Sequence, residues 1–284
     1  MENTSMKKVT LAGTDAWSVT SGINGQEYRV QIYQPSGKVP ASGFPIIYTL
    51  DGNSTFAMTA EMMRIQSLRP EKTGVAPAIV VSIGYNAEAL FPPKRHYDFT
   101  MPAPEKDLPK IPFGRPLPEQ GGALDFMSFV EDQLKPLVES RYSVDSSRQM
   151  IVGHSLGGLF VLHMLFVRPH SFHTYIAGSP SIHWNAMYLR QQEQKWLEEV
   201  SKGRTKLNTR VLIAVGELEG NLKVPMIRNA EEQVERLSKL EEFGVQVAYQ
   251  AFEAENHMSI VPVLINRALR FNGWAEEESN ESKK

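Results

Sequence analysis

The sequence predicts an α/β fold in which helices cover both faces of a mostly parallel sheet. Short, continuous apolar runs recur along the chain, and such runs are typical of strands buried on both faces. Between them lie segments with an apolar residue at every third or fourth position, the spacing of helices that pack one side on a core. This alternation of strands and helices is the pattern expected of a parallel sheet with crossover helices.

Seven strands are predicted. The first, Glu27–Tyr33, alternates apolar and polar residues, and this period of two indicates a strand near the edge of the sheet. The other strands are short apolar runs that suit the interior of a parallel sheet. They are Phe44–Leu50, Ala78–Ile83, Gln149–Val152, Tyr175–Ala177, Val211–Val215 and Val245–Phe252.

Four helices are predicted between and after these strands. Ala123–Val138 carries apolar residues at steps of three or four, although Pro136 lacks the N–H group that a helix interior uses. Leu156–Val167 is apolar nearly all round, which predicts a helix buried in the core. Pro225–Leu240 begins with proline, which is favourable at a first helical position. Val261–Phe271 completes the fold as a C-terminal helix.

The chain of 284 residues is interpreted as one domain over residues 1–274, because no internal repeat or shift in composition divides it. Residues 91–120 interrupt the pattern, since they hold eight of the 18 prolines and show neither helical nor strand periodicity. A loop of this length inside a compact domain is usually functional or disordered, and here it could cover a site as a lid. Residues 275–284 are charged and polar, so a flexible tail is expected.

Composition and charge exclude several classes of protein. Lys and Arg number 30 against 32 Asp and Glu, so no basic excess attracts nucleic acid or anionic lipid. The chain has no cysteine, which excludes disulfides, thiolate metal sites and a cysteine nucleophile. No run reaches the ~20 apolar residues of a membrane span. The N-terminus shows no signal peptide, which predicts a cytoplasmic protein, with a mature periplasmic form as the alternative.

The strongest motif is the G-x-S-x-G sequence Gly153–Gly157, which joins the predicted strand Gln149–Val152 to the predicted helix Leu156–Val167. A serine on such a tight turn holds its hydroxyl clear of the sheet. The glycines let neighbouring backbone approach, and the N-terminus of the following helix favours a developing negative charge. Ser155 is therefore the candidate nucleophile.

A serine hydroxyl needs a base, and in this architecture the partners follow in the order serine, acid, histidine. Of the seven histidines, only His257 follows a late strand and precedes the last helix. The acid is expected just after Val211–Val215. Glu219 is favoured over Glu217, because the acid usually lies a few residues beyond the strand. Glu255, or a serine–histidine dyad without an acid, is a further alternative.

The reaction also needs an oxyanion hole, which is formed by two N–H donors. One is expected to be the backbone N–H of Leu156, the residue after the nucleophile. The other should come from the loop Leu50–Asn53 that follows an early strand, where glycine allows close approach of the backbone. The candidates in this loop are the N–H groups of Gly52 and Asn53.

Several segments across nearly the whole chain resemble the esterase-D-like branch of the α/β-hydrolases. The chain is most similar to the trilactone-siderophore esterases that cleave enterobactin, salmochelin or bacillibactin. The G-x-S-x-G motif is general to the superfamily, whereas Ser-Pro-Ser…Trp-Asn and Gly-Glu-Leu-Glu are typical of this branch. The matching segments are Leu50–Asn53, Arg95–Thr100, Gly153–Gly158, Ser179–Asn185, Val215–Glu219 and Glu255–His257.

The resemblance implies an α/β-hydrolase fold and a serine esterase with Ser155 as nucleophile and His257 as base. Some periplasmic members work as serine–histidine dyads, and this chain departs from them by offering Glu219. Members from Gram-positive bacteria would act inside the cell on imported ferric siderophore. No metal site and no cofactor is implied, since iron would arrive only with the substrate.

The implied substrate is a small molecule, a catecholate trilactone siderophore that is ferric or iron-free, and its cleavage would release iron. Such a molecule is aromatic and, with iron, strongly anionic. Arg64, Arg95, His183 and Trp184 are therefore candidates for binding it by charge pairing and stacking. No nucleic acid, membrane or obligate protein partner is expected.

Two other functions stay open on the sequence alone. The chain could be a broad carboxylesterase, a thioesterase or an acyltransferase of the same family, and rates on a catechol trilactone and on simple aryl esters would distinguish these. It could instead be a ligand-binding module on an inactive hydrolase fold. A serine-directed phosphonate that fails to label Ser155 would favour the binding module.

Overall fold

The computed structural model describes residues 9–104, 118–202 and 207–274. Within these ranges eight strands form one sheet. In chain order the strands are β1 (Thr14–Thr20), β2 (Glu27–Tyr33), β3 (Phe44–Thr49), β4 (Ile79–Gly84), β5 (Val144–His154), β6 (Thr174–Gly178), β7 (Thr209–Gly216) and β8 (Val245–Phe252). Across the sheet the order is β1-β2-β4-β3-β5-β6-β7-β8.

The sheet is mostly parallel, as predicted. Its six strands from β4 across to β8 all pair parallel, and β1 and β2 add an antiparallel edge. Every residue of β3, β4 and β6 is buried, which explains why their sequences read as unbroken apolar runs. The carboxyl ends of the parallel strands lie along one edge, where ligands bind in open α/β sheets.

Helices cover both faces of the sheet, which confirms the predicted architecture. In chain order they are α1 (Gly52–Gln66), α2 (Pro70–Thr73), α3 (Arg95–Phe99), α4 (Ala123–Ser128), α5 (Lys135–Glu139), α6 (Leu156–Val167), α7 (Ala186–Ser201), α8 (Met226–Leu237) and α9 (Ile260–Phe271). Side chains of α1 and α9 form a core on one face, and those of α4, α6, α7 and α8 form a larger core on the other.

Three long elements were not predicted from the sequence, and each lacks a clear apolar pattern. β1 is largely exposed at the edge of the sheet. The inward side of α1 includes Thr55 and Thr59 besides its apolar residues, so its periodicity is hidden. The inward side of α7 contains Glu193, a carboxylate buried against Arg236. Inward polar residues thus interrupted the apolar stripes of α1 and α7.

Two predicted helices differ from the structure in detail. The helix predicted over Ala123–Val138 is helical throughout, but residues Phe129–Leu134 form a π-helix between α4 and α5. Pro136 lies in the first turn of α5, directly after the π-helix. Pro225 flanks α8 instead of starting it, because the first helical residue is Met226.

Residues 91–120 contain the short helix α3, although no helical period was recognised there. Residues 105–117 of this stretch, and the expected tail at 275–284, lie outside the described residues. In the part of the chain that the structure describes, no helix is long and apolar enough to cross a membrane.

Candidate active site

The G-x-S-x-G sequence forms the turn between β5 and α6. Ser155 has φ 59° and ψ −116°, a backbone conformation that costs free energy for any residue with a side chain. Its N–H donates to the Gly178 carbonyl on β6, which fixes the turn. A Cβ atom at Gly153 would lie 2.3 Å from the Gly157 carbonyl oxygen, so only glycine fits at that position.

The structure brings Ser155, His257 and Glu219 together in one chain of hydrogen bonds. Ser155 Oγ lies 3.0 Å from His257 Nε2, and His257 Nδ1 lies 2.8 Å from Glu219 Oε2. The three residues follow β5, β8 and β7, so they meet at the carboxyl edge of the sheet. With Nδ1–H donated to the carboxylate, Nε2 is left to accept the serine proton.

Glu219 is buried in a 3₁₀ turn, Glu217–Asn221, that follows β7. Its Oε1 accepts the Gly216 N–H at 2.8 Å and the Ser179 hydroxyl. Burial raises the pKa of this carboxyl. Hydrogen bonds from His257, Ser179 and the Gly216 N–H lower it by more than burial raises it, so the net pKa lies below its ordinary value. The side chain is therefore an anion at neutral pH.

The other acids that the sequence left open are placed differently. Glu217 accepts the Ala254 N–H at 3.0 Å, which ties the turn after β7 to the turn after β8. No bond joins Glu217 or Glu255 to the imidazole of His257 among the described residues, whereas Glu219 bonds to it directly.

His154 packs against the base without competing for its role. The ring centroids of His154 and His257 are 4.7 Å apart. Burial, with a smaller contribution from the charge of His257, lowers the pKa of His154 to about 3. His154 is therefore neutral over the working range of a hydrolase and adds no positive charge beside the base.

Both candidate oxyanion segments begin helices close to Ser155. Leu156 starts α6, where the first N–H groups have no acceptor within the helix, and it lines the cavity at Ser155. Gly52 and Asn53 start α1. This corner packs on the nucleophile turn, since a Cβ at Gly157 would lie 3.5 Å from Asp51 Oδ2. The Asn53 side chain bonds to backbone after β4.

The hydroxyl of Ser155 opens onto a cavity of about 340 Å³, a volume typical of small-molecule sites. Its lining includes both apolar side chains and imidazole, indole and guanidinium groups. The apolar residues are Leu222, Val224 and Met226, and the others are Arg95, His96, His183 and Trp184. A larger cavity of about 470 Å³ lies at the other end of the strands, near the residues that begin β5, β6 and β7, and contains none of the predicted site residues.

Arg95 lines the cavity but is tied to a buried carboxylate. Its Nε and Nη2 lie 2.6 and 2.8 Å from the two oxygens of Asp51. Both side chains are nearly inaccessible to solvent. The pair joins α3 to the residue that precedes α1. Arg95 can therefore offer a ligand its remaining N–H donors, with its charge largely balanced by Asp51.

The other predicted binding residues divide into two groups. Trp184 and His183 line the cavity, and the Trp184 ring lies 5.6 Å from that of His96. Burial, followed by the charge of His257, lowers the pKa of His183. Arg64 is not brought to the cavity. It lies twelve residues along α1 from Gly52, about 18 Å at 1.5 Å per residue, and it pairs with Glu61.

Sequence reasoning did not single out three polar residues at the site. Ser181 Oγ lies 3.2 Å from Ser155 Oγ, and Ser179 bonds to Glu219. His96 lines the cavity beside Trp184. Both serines stand in the Ser-Pro-Ser motif, so the motif pointed to the segment, but spacing alone could not assign contacts to its hydroxyl groups.

This arrangement can carry out acyl transfer. A serine hydroxyl is bonded to an imidazole, the imidazole is held by a buried carboxylate, and a helix N-terminus is placed to stabilise an oxyanion. Each of these parts has a counterpart in serine hydrolases of unrelated folds.

Comparisons with known proteins agree with this chemistry. The family described as Putative esterase matches residues 21–261. Ferri-bacillibactin esterase BesA of Bacillus subtilis (strain 168) is 46% identical over 262 residues, which are 92% of this chain and 90% of that protein.

Solved structures share the fold over nearly the whole chain. The crystal structure of BES protein from Bacillus cereus matches with a TM-score of 0.87 and 38% identity, covering 94% of this chain and 98% of that one. Siderophore hydrolase EstA from Aspergillus nidulans matches with a TM-score of 0.74 and 25% identity, covering 95% and 99%. These matches confirm the predicted α/β-hydrolase fold. On the family match and the identity to a curated relative, the chain belongs to the Esterase family.

Proposed function

We propose that this chain is a serine esterase that hydrolyses the ester bonds of a catecholate trilactone siderophore, ferric or iron-free, and so releases iron. The observation that carries the proposal is the Ser155–His257–Glu219 hydrogen-bond chain opening onto a cavity with ring and cation side chains. The 46% identity to a ferri-bacillibactin esterase supports the choice of substrate.

In the first half of the reaction, Ser155 Oγ attacks a lactone carbonyl carbon while His257 Nε2 takes the serine proton. The carbonyl oxygen becomes an oxyanion, which the Leu156 N–H and the N–H of Gly52 or Asn53 stabilise. The carbon–oxygen bond of the ester then breaks. The leaving alkoxide takes the proton from His257, and the acyl group stays on Ser155.

In the second half, water attacks the acyl-enzyme and gives a proton to His257 Nε2. The second oxyanion collapses, Ser155 leaves and recovers its proton from His257, and a carboxylic acid is released. Glu219 stays ionised throughout and stabilises the imidazolium that forms twice in each cycle. In this mechanism, neither half of the reaction uses a metal ion, a cofactor or a second protein.

The cavity has the chemistry that a catecholate ester would recognise. Trp184 and His96 offer ring faces and edges for a catechol ring, and Leu222 offers an apolar surface in the same cavity. The N–H groups of Arg95 that Asp51 does not occupy can donate to catecholate or carbonyl oxygens. Arg64 is too far along α1 to contribute.

The test is hydrolysis of a catechol trilactone by the purified chain alone, with and without bound iron, followed by product mass. We expect release of linear trimer, dimer or monomer, and a loss of at least about 10⁴-fold in kcat for Ser155→Ala. A simple aryl ester serves as the second substrate, and the ratio of ferric to iron-free rates identifies the form that is used.

Each outcome decides part of the proposal. If only the aryl ester is cleaved, and through Ser155, the siderophore assignment is overturned and a carboxylesterase remains. If a serine-directed phosphonate does not label Ser155 and no ester is cleaved, the esterase assignment is overturned.

We also propose a cytoplasmic location, where imported ferric siderophore would be opened, and activity in the membrane-free intracellular fraction of the source cells would test it.

A further inference from the structure

Ser179 occupies an unusual place directly after β6. It is fully buried, and its φ of 39° lies in the left-handed region that favours glycine. Its N–H donates to the Ala214 carbonyl on β7, so the backbone is fixed between two strands. A glycine would adopt this backbone angle at lower cost, and the backbone therefore gives no reason for a side chain here.

The side chain of Ser179 makes one hydrogen bond among the described residues, and its acceptor is Glu219 Oε1. The same oxygen accepts the Gly216 N–H at 2.8 Å, while Oε2 accepts from His257. One carboxylate oxygen is thus anchored by two donors, and the other is directed at the imidazole. Without the Ser179 hydroxyl, a single backbone donor would hold Oε1, and the carboxylate could rotate about that contact.

We propose that Ser179 is a positioning residue of the esterase, whose hydroxyl holds the Glu219 carboxylate in the orientation that His257 needs. The inference rests on the proposed function of Ser155, His257 and Glu219. Ser179 does not line the cavity at Ser155, and among the described residues its hydroxyl bonds to Glu219, so it acts through that carboxylate. Its strained backbone agrees with this role, since such strain persists where the surrounding structure over-determines it and is concentrated at functional sites.

The electrostatics of the carboxyl group support the same role. Glu219 is buried, and burial alone raises the pKa of a carboxyl group. The hydrogen bond from Ser179 is one of the interactions that lower it again, second in size to that from His257. The hydroxyl therefore helps to keep the carboxylate charged as well as aligned.

The test uses two substitutions that remove the hydroxyl in different backbone contexts. Ser179→Ala keeps the strained backbone, and Ser179→Gly relaxes it. Kinetics are measured on whichever ester gives Ser155-dependent turnover, together with the midpoint of thermal unfolding. We expect both variants to lose about 10- to 100-fold in kcat with little change in KM, and Ser179→Gly to unfold no earlier than the wild type.

A matched control is available on the far side of the fold. Ser171 is also buried and donates to a carboxylate, Glu131 Oε1, at 2.7 Å. Ser171→Ala should leave kcat unchanged, because that hydrogen bond lies away from the site. The route through Glu219 is tested in a second background, since Ser179→Gly should cost less than about threefold in kcat once Glu219→Ala is present.

The results separate this inference from the function on which it rests. A Ser179→Gly variant with wild-type kcat would overturn it, whatever the effect of Ser179→Ala. An undiminished loss in the Glu219→Ala background would also overturn it, because Ser179 would then act elsewhere. If Ser155→Ala retains full activity, the proposed function itself fails.

Discussion

Glu219 decides whether this site works as a triad or as a serine–histidine dyad. Its carboxylate receives three donors, from His257, Ser179 and the Gly216 backbone, and both oxygens are in use. A neutral amide of the same size would turn an N–H group toward at least one of these donors. The hydrogen-bond geometry therefore requires a carboxylate, and not an amide, at position 219.

Replacing Glu219 by Gln should lower kcat by about 10⁴-fold while KM changes little, because the imidazole loses its tautomer and its counter-charge. Steady-state kinetics at neutral pH measure the effect, and circular dichroism shows that the fold is retained. A loss smaller than about tenfold would mean that Ser155 and His257 work as a dyad in this chain.

Residues of the hydrogen-bond chain were predictable because topology confines them. Ser155, Glu219 and His257 each follow a parallel strand, in an order that this architecture fixes. Arg64 was misplaced because α1 was not recognised as a helix, and its length carries Arg64 away from the site. The contact between Ser179 and Glu219 depends on side-chain direction, which no spacing in the sequence records.

At the scale of elements, the two outer glycines of the nucleophile turn are not equivalent. A Cβ at Gly153 would collide with the Gly157 carbonyl, whereas a Cβ at Gly157 would make ordinary contacts at 3.5 Å with Leu50 and Asp51. The motif treats both positions alike, but only the first is restricted by backbone in this fold.

Gly157→Ala should therefore fold and keep activity within about threefold, since alanine is also the better helix former by ~1 kcal/mol. Gly153→Ala should lose several kcal/mol of unfolding free energy or fail to fold, because the colliding atoms belong to the backbone. Chemical denaturation of the two purified variants makes the comparison. Equal stability of the two would contradict this account of the turn.

The Arg95–Asp51 pair connects two elements, α3 and the start of α1, and Arg95 also lines the cavity at Ser155. Removing one member leaves a buried charge without its partner. Arg95→Met should therefore lower the unfolding free energy by about 3–5 kcal/mol, and the double variant Arg95→Met, Asp51→Asn should recover part of that loss. Urea denaturation measures both. A single variant as stable as the wild type would show that Arg95 serves ligand binding alone.

The strands and the buried helix α6 were readily predicted because their interiors are apolar on all sides. The helices that escaped prediction have inward polar groups that are satisfied by hydrogen bonds, either within the helix or to another element. Thr59 donates to the Thr55 carbonyl within α1, and Glu193 of α7 accepts from Arg236 of α8. A periodicity of apolar residues cannot show such satisfied polar positions.

At the scale of the whole molecule, the unfolding free energy should depend on pH through the titration of one buried carboxyl group. Asp98 is fully buried, and Tyr85 donates its hydroxyl to one of its oxygens. Burial raises the pKa of Asp98 to about 6, and the hydrogen bond from Tyr85 opposes this only in part. The folded chain therefore holds this proton more tightly than the unfolded chain does.

Asp98 accordingly stabilises the fold below about pH 4, and that contribution is lost as the pH rises through about 6. Asp98→Asn removes the titration. The unfolding free energy of the wild type should fall relative to this variant by about 3 kcal/mol between pH 4 and pH 8. Denaturation of both proteins at several pH values measures it. A difference that does not depend on pH would contradict the assignment.

The positions of the hydrogen-bonded site residues along the chain bear on how the protein is made. Ser155 and His257 are 102 residues apart, and the histidine lies between the last strand and the last helix. A ribosome delivers the nucleophile long before the base, and a domain generally folds as a unit. The nascent chain thus has no competent hydrolase until its final strand docks, and any cut between α6 and α9 that separates the pieces ends turnover.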